Sequence, residues 1–215
     1  SIVTGDTKVV PRGCGDGIYI NTAGVGTMLA GADIAPTNIT AGMDIIVSGT
    51  LGDHAATVMA ARHGLTLPPE IQSDCAPLCH LTAAMIAAAG DGIAVLRDPT
   101  RGGAAASLNE LAGAAGVGVL LEEDAIPVRP AVQGVCEMLG FDPLTLANEG
   151  KLLAFVRPEV TARVLDVMHE NPYGREACVI GHTTADAPGT VGLRTALGGI
   201  RVVDLPLGEL VPRIC

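Results

Sequence analysis

Residues 92–124, GIAVLRDPTRGGAAASLNELAGAAGVGVLLEED, contain the pattern that decides the fold. The stretch begins with a short apolar run, passes through a loop with two glycines into an alanine-rich segment, and ends in a second apolar run after Gly116. Short apolar runs bounded by turn residues are typical of buried strands, and the longer alanine-rich segment is typical of a helix. The stretch therefore predicts a strand, a helix that begins at the paired glycines, and a second strand.

The same alternation continues along the chain from residue 43 onward. It favours an α/β architecture, and the 215 residues, 48% of them apolar, are enough for one sizeable core. We therefore predict one α/β sandwich, of the two-layer α+β type, over residues 37–205. The other helical segments are 54–64, 78–90, 129–140 and 159–170, and further strands begin near residues 43, 151, 176, 189 and 200.

The two ends of the chain do not fit this domain. Residues 1–36 contain two strand-like segments around a glycine-rich turn, and two lone strands cannot bury a core. We expect them to be the remnant of an N-terminal domain, or an edge added to the main sheet. Residues 206–215 contain two prolines and a glycine, so we expect an extended, mobile tail and no helix.

Composition excludes several classes of function. The formal charge is −10 and the chain has only two lysines, which argues against binding to nucleic acid or to an anionic membrane surface. No apolar run has the length of a transmembrane helix, and no signal peptide is apparent. Six cysteines in a chain of this length do not suggest a disulfide framework, so we expect a cytoplasmic protein.

The loop RDPTRGG at residues 97–103 joins a predicted strand to a predicted helix. Asp98 could hold a metal ion, Arg101 could clamp a phosphate, and the glycines would let a phosphate approach the helix N-terminus. The alternative is a plain loop in which Asp98 turns the chain and Thr100 caps the helix. A similar loop, SGTLGDHA at residues 48–55, has Asp53 as a natural helix cap.

Two short segments pair an acid with a lysine two residues later. Glu149 and Lys151 in ANEGKL are either a surface pair or a positioned general base and its neighbour. Asp6 and Lys8 in TGDTKVV could bind a phosphate or polarise a carbonyl. The alternative for Lys8 is protection of an exposed strand edge.

The segment CAPLCH, residues 75–80, suggests a metal or redox site. No second closely spaced ligand pair accompanies Cys75, Cys79 and His80 in the sequence, so we expect neither stoichiometric zinc nor a structural disulfide. The remaining interpretation is that both cysteines are small buried apolar residues.

The last residue of the sequence is Cys215. An exposed thiol in a frayed tail is open to oxidation and exchange. Either it is accidental, or the thiol must be movable and reachable, as in a carrier arm.

Taken together, these segments resemble the HypE family of hydrogenase maturation proteins, the carbamoyl dehydratases. The resemblance covers essentially the whole chain. It includes DPTRGG, which is shared with the wider group of aminoimidazole ribonucleotide synthetase-like ATP enzymes, and the more specific terminal PRIC. The other matching segments are TGDTKVVPRG, DGIYINT, VSGTLGDHA, SDCAPL, NELA, IPVRPAV, LANEGKL and RTALGGIRVVDLP.

The resemblance implies an activity and its residues. A carbamoyltransferase would load Cys215 with a carboxamide, ATP and Mg²⁺ would serve its dehydration to a thiocyanate, and a scaffold complex would accept the cyanide onto iron. Lys8 and Glu149 match the family's proton-handling pair. The nucleotide end matches the family at Asp6, Asp98, Thr100, Arg101 and Asn148.

Members of the family are longer by roughly an N-terminal domain, which supplies most ATP and Mg²⁺ contacts and the homodimer interface. We therefore expect this chain by itself to bind ATP weakly or not at all. Two alternatives stay open. One is another ATP-dependent enzyme of the same superfamily, and the other is a non-catalytic module that carries and presents a thiol.

Overall fold

The computed structural model describes residues 2–7, 9–13, 17–18, 20–69 and 71–205. In these residues the chain forms a seven-stranded sheet and five α-helices, and no helix is long and apolar enough to cross a membrane. The strands are β1 (Asp44–Val47), β2 (Ile93–Arg97), β3 (Gly118–Glu122), β4 (Leu153–Val156), β5 (Cys178–Thr184), β6 (Val191–Arg194) and β7 (Ile200–Val202). The helices are α1 (Asp53–His63), α2 (Cys79–Ala89), α3 (Gly103–Ala115), α4 (Pro130–Leu139) and α5 (Pro158–His169).

The strands follow the order β2-β4-β1-β5-β3-β6-β7 across the sheet. Neighbouring strands are antiparallel except for β3 and β6, which are parallel. The central strands β1 and β4 are almost completely buried, since both have sheet partners on each side. This order places β4 between β1 and β2, so that it is antiparallel to both.

Helices cover both faces of the sheet. Because successive side chains of a strand point to opposite faces, Ile45 and Val47 pack with α3, whereas Ile46 packs with α2 and α5. The α/β prediction is confirmed, with one difference in layering. The sheet has a helical layer on each face instead of the single one expected, because the apolar sides of α3 and of the α2–α5 pair are buried against opposite faces.

A third apolar cluster joins α1 and α4 to the loop that precedes β4. Ala55 and Ala56 of α1 pack against Val132 and Val135 of α4, together with Leu146 from that loop. Burial of a valine or leucine side chain stabilises a fold by about 1.5–3 kcal/mol. The cluster therefore holds the start of α1 close to the loop before β4.

The first turn of α1 differs from the sequence prediction. Its N-cap is Gly52, with a left-handed φ of 86°, and Asp53 is the first helical residue instead of the cap. A Cβ atom at position 52 would lie 2.9 Å from Val132 Cγ1 and 3.0 Å from Leu146 Cδ1. Both the backbone angle and the packing therefore require glycine, and the Asp53 carboxylate is free for other contacts.

The two strands predicted before residue 36 do not form in the described part of that segment. Its apolar side chains are exposed, with Ile2, Val9, Ile18 and Ile20 all more than 80% accessible. A strand needs hydrogen-bonding neighbours, and no strand of the sheet pairs with this segment in the described residues. The predicted extended tail, residues 206–215, lies outside the described residues.

Candidate functional site

Three loops meet where the ends of β1 and β2 lie beside the start of β4. They follow β1 (residues 48–52), follow β2 (98–102) and precede β4 (146–152). Leu153, the first residue of β4, pairs with the last residue of β1 on one side and with the last residue of β2 on the other. Because β4 runs antiparallel to both neighbours, its beginning meets both of their ends. We treat these three loops as the candidate site.

The buried side chain of Asn148 links the three loops. Its Oδ1 accepts a hydrogen bond from the Gly52 amide at 2.8 Å, and its Nδ2 donates to the carbonyl oxygens of Pro99 at 3.1 Å and Leu146 at 2.9 Å. Asn148 is fully buried. An amide that both donates and accepts is needed to satisfy these groups at once, so this side chain fixes the mutual position of the loops.

We expect Asn148→Ala to lower the free energy of unfolding by about 2–4 kcal/mol, because the buried Gly52 amide and Leu146 carbonyl lose their partner. Urea unfolding monitored by circular dichroism measures this loss. The matched control is Asn38→Ala, which removes a hydrogen bond to Asp33 O at the surface and should cost about 0.5 kcal/mol or less. Equal losses in the two variants would contradict the linking role.

The RDPTRGG loop is packed tightly where it enters α3. A Cβ atom on Gly103 would collide with the carbonyl oxygens of Leu144 and Leu146. The backbone of residues 144–146 therefore occupies the space beside Gly103 in which the sequence analysis had placed a phosphate. The N-cap of α3 is Gly102, which has no side-chain cap, so the predicted capping by Thr100 is wrong.

The polar side chains of the same loop face outward. Thr100 Oγ1 donates to Asp98 Oδ2 at 3.3 Å, and both Asp98 and Arg101 are exposed. Arg101 forms no ion pair with the described residues. An exposed guanidinium beside a helix N-terminus is available to an anionic ligand.

Asp53 anchors a polar network behind the first loop. The carboxylate is 4% exposed, and its Oδ2 accepts hydrogen bonds from Thr50 Oγ1 and from Arg129 Nε, the latter at 3.5 Å. Arg129 also contacts Glu176 through Nη2 at 3.0 Å. This network connects the start of α1 to the start of α4 and to the loop before β5.

A fourth segment, residues 73–75, docks against the loop before β4. Asp74 Oδ1 accepts a hydrogen bond from the Glu149 amide at 2.9 Å. A Cβ atom on Gly150 would collide with the Asp74 carbonyl oxygen, so only glycine fits beside it. The backbone of Glu149 is thereby held in place although its side chain is exposed.

The same segment also contacts α1. Ser73 Oγ lies 2.8 Å from His54 Nδ1 and accepts a hydrogen bond from the Cys75 amide at 3.3 Å. Cys75 Sγ lies 3.7 Å from His54 Nδ1. Cys75 and Cys79 are free and exposed, so the expectation that they are buried apolar residues is wrong. Cys75 lies in an open loop and Cys79 begins an exposed helix end.

A cavity of about 260 Å³ opens beside residues 73–75. Its wall includes Ser48, Lys151, Arg175 and Glu176. Sequence reasoning singled out Cys75 but missed this cavity and the roles of Ser73 and Asp74, because the contributing residues are far apart in the chain. The only signal in the sequence was SDCAPL, which we used as part of the resemblance and not as a site.

Burial raises the pKa of three side chains. Burial raises the pKa of the Asp74 carboxyl, although the hydrogen bond from the Glu149 amide and the charge of Lys151 oppose this. Burial raises the pKa of the Cys136 thiol to about 11 and also raises the pKa of Cys178. These two thiols are therefore protonated at neutral pH and are poor nucleophiles.

The structure places the remaining predicted residues as follows. Lys151 lines the cavity whereas Glu149 does not, and the two form no ion pair. Asp6 is exposed and accepts a hydrogen bond only from the neighbouring Thr7 amide, among the described residues. Lys8 and Cys215 lie outside the described residues. Within the described ranges, no group of three or more His, Cys, Asp or Glu could hold a metal ion.

Comparison with protein families identifies residues 40–194 with the C-terminal domain of AIR synthase related proteins. The matched region contains every strand except β7 and all of the site loops. The chain belongs to the AIR synthase related family. Within this family, the resemblance of this chain to HypE is confirmed by curated HypE proteins that are similar to it. The carbamoyl dehydratase HypE of Rhodobacter capsulatus is 52% identical over 214 residues, and that of Escherichia coli K12 is 46% identical over 217 residues.

Both alignments cover 100% of this chain and 63% of the relative, so the chain spans less than two thirds of their length. Among solved structures, a hydrogenase maturation protein HypE has a TM-score of 0.81 at 40% identity, over 85% of this chain and 58% of that one. Escherichia coli HypE has a TM-score of 0.79 at 43% identity, over 85% of this chain and 55% of that one. These AIR synthase related relatives share the described architecture.

Proposed function

We propose that this chain is the C-terminal part of a carbamoyl dehydratase of hydrogenase maturation, which makes the cyanide ligand of the iron in nickel–iron hydrogenase. The observation that supports this most is the 52% identity to a HypE carbamoyl dehydratase over the whole of the chain. The 214 aligned residues cover the loops that contain Asn148 and Glu149.

The reaction removes one water from a thiol-bound carboxamide. The Cys215 sulfur carries the –C(=O)NH₂ group, and ATP transfers a phosphoryl group to its oxygen. The nitrogen loses its first proton as the phosphorylated imidate forms. It loses its second proton as the C–O bond breaks, and phosphate leaves as the carbon–nitrogen triple bond forms. ATP is needed because hydroxide is a poor leaving group and phosphate is a good one. The products are the S-thiocyanate, ADP and phosphate.

Removal of the nitrogen proton requires a nearby base, and we assign this role to Glu149 together with Lys8. The exposed carboxylate of Glu149 is available to a substrate, and its backbone is held by Asp74 and by the Asn148 link. A base that is positioned within hydrogen-bonding distance accelerates such a step by about 10²–10⁴-fold. Both residues therefore act after Cys215 has been loaded.

The nucleotide would meet the loop after β2. Arg101 is exposed and offers a guanidinium to the phosphates, with Thr100 and Asp98 beside it and Asp6 as a further candidate. Asn148 would act indirectly, by holding this loop through Pro99. One solved HypE structure, with a TM-score of 0.78 to this chain, is in complex with ATP. Mg²⁺ that binds with a nucleotide is held by one or two carboxylates and by the phosphates themselves, and Asp98 is the exposed carboxylate of this loop.

The proposed partners follow from the same chemistry. A carbamoyltransferase loads Cys215, and a solved complex of HypE with HypF has a TM-score of 0.77 to this chain. A scaffold complex accepts the cyanide, and the full-length protein forms a homodimer. The acidic charge of −10 supports a protein that binds neither nucleic acid nor membrane, and we place it in the cytoplasm.

Intact-mass spectrometry of the full-length protein tests this function. The protein is incubated with the carbamoyltransferase and its substrates, first without and then with Mg-ATP for the second step. We expect a loaded species that becomes lighter by the mass of one water once ATP is supplied. Loading without this loss would support the thiol-carrier alternative, and no loading at all would support another enzyme of the superfamily.

A further inference from the structure

The cavity beside the loop before β4 is lined by three cationic side chains, of which one is held in ion pairs. Arg129 on its wall lies between Asp53 and Glu176, at 3.5 and 3.0 Å, so this one cation is fully engaged by two carboxylates. Lys151 and Arg175 line the same cavity. In the part of the chain that the structure describes, neither forms an ion pair with a carboxylate. The two cations are therefore free to meet an anion.

Hydroxyl donors stand next to these cations. Ser48 Oγ accepts a hydrogen bond from the Leu152 amide at 3.0 Å, which leaves its own hydrogen available to a ligand. Ser73 contributes a second hydroxyl from another segment, and this hydroxyl is free to donate to a ligand in the tautomer in which His54 Nδ1 carries the hydrogen. A Cβ atom at Gly49 would lie 3.4 Å from Lys151 Nζ, so the glycine leaves room for the ammonium group.

The carboxyl group of Asp74 also lines the cavity and interacts with the charge of Lys151, but it forms no ion pair with it. Its Oδ1 accepts the hydrogen bond from the Glu149 amide, and its Oδ2 is buried and inaccessible to solvent. Both oxygens are therefore directed into the protein.

We propose that this cavity binds a phosphate group. Two separate cations and two hydroxyls converge from four different segments, which suits a tetrahedral, multiply charged oxyanion better than a planar carboxylate that one arginine can hold. The whole chain has only 13 Lys and Arg residues against 23 Asp and Glu, so such a pocket is not expected from composition. If the proposed dehydration is accepted as the basis, the ligand is the phosphate that leaves beside Glu149.

Titration of the 215-residue chain with inorganic phosphate, followed by isothermal calorimetry at constant ionic strength, tests the site. We expect saturable binding of one phosphate per chain. Lys151→Gln and Arg175→Gln should each weaken it about 10–100-fold, as expected for loss of a charged hydrogen bond. Lys151→Arg should retain most of the affinity. The control Arg163→Gln removes an exposed cation of α5 and should change nothing.

The site would be disproved if the folded wild-type chain showed no saturable binding, or if chloride at equal ionic strength produced the same signal. An equal loss of affinity in Arg163→Gln would also disprove it. Circular dichroism confirms that each variant is folded, and Lys151→Arg provides a test even if Lys151→Gln does not fold.

The proposed phosphate site and the proposed dehydratase function can each be disproved without the other. Dehydration by the full-length protein without phosphate binding at this cavity would overturn only the site. Phosphate binding that is sensitive to Lys151, without any dehydration, would leave the site standing and overturn the proposed function.

Discussion

We expect the full-length protein with Cys215→Ser to accept no stable carboxamide and to deliver no cyanide. The reason is chemical, because the serine oxygen is a much poorer nucleophile than a thiolate and its carbamate is a worse precursor for group transfer. Cys215→Ala should fail in the same way. Intact-mass spectrometry after incubation with the carbamoyltransferase detects the loss of loading directly.

Cys79→Ser is the matched control for this experiment. Cys79 is a free, exposed cysteine in the described part of the chain, and we expect its replacement to leave loading unchanged. Cys136 and Cys178 are poor alternative acceptors, because burial raises the pKa of both thiols. Normal loading of the Cys215→Ser protein would show that another thiol accepts the carboxamide.

Glu149→Gln in the full-length protein is expected to load normally and then to stall. The variant keeps the size and the backbone contact to Asp74 but lacks the base that removes the nitrogen proton. We expect the dehydration rate to fall about 10²–10⁴-fold. In the mass spectrum the carboxamide should persist with ATP present, and Lys8→Ala should stall at the same species.

Glu159→Gln, an exposed glutamate in the first turn of α5, is the control and should convert its carboxamide at the normal rate. Normal conversion in both Glu149→Gln and Lys8→Ala would remove them from the mechanism. Glu149 and Lys151 would then be ordinary polar residues of a surface loop.

The secondary structure from residue 43 onward could be predicted because its signals are local. Glycines end α1 at Gly64 and α3 at Gly116, as the sequence indicated. The strand predictions before residue 36 were wrong for a non-local reason. Their apolar residues have a strand-like pattern, but a strand exists only with a partner, and the described chain supplies none.

The candidate site could be predicted only in part. The resemblance pointed to Glu149 and to the RDPTRGG loop, and their roles in catalysis and nucleotide binding stay predictions. The convergence of these loops follows from the antiparallel placement of β4 between β1 and β2. Strand order is set by packing between distant segments, which no local pattern encodes.

The sequence by itself determined the α/β class, most helix ends and the family, because these depend on residue order and short-range periodicity. Only the tertiary structure decided that Asn148 is a buried link between loops and that Asp74 holds Glu149. It also decided that Lys151 and Arg175 share a cavity. The physical reason is that each of these contacts joins residues from separate segments, and such distances become defined only when the apolar faces of the sheet and helices are buried together.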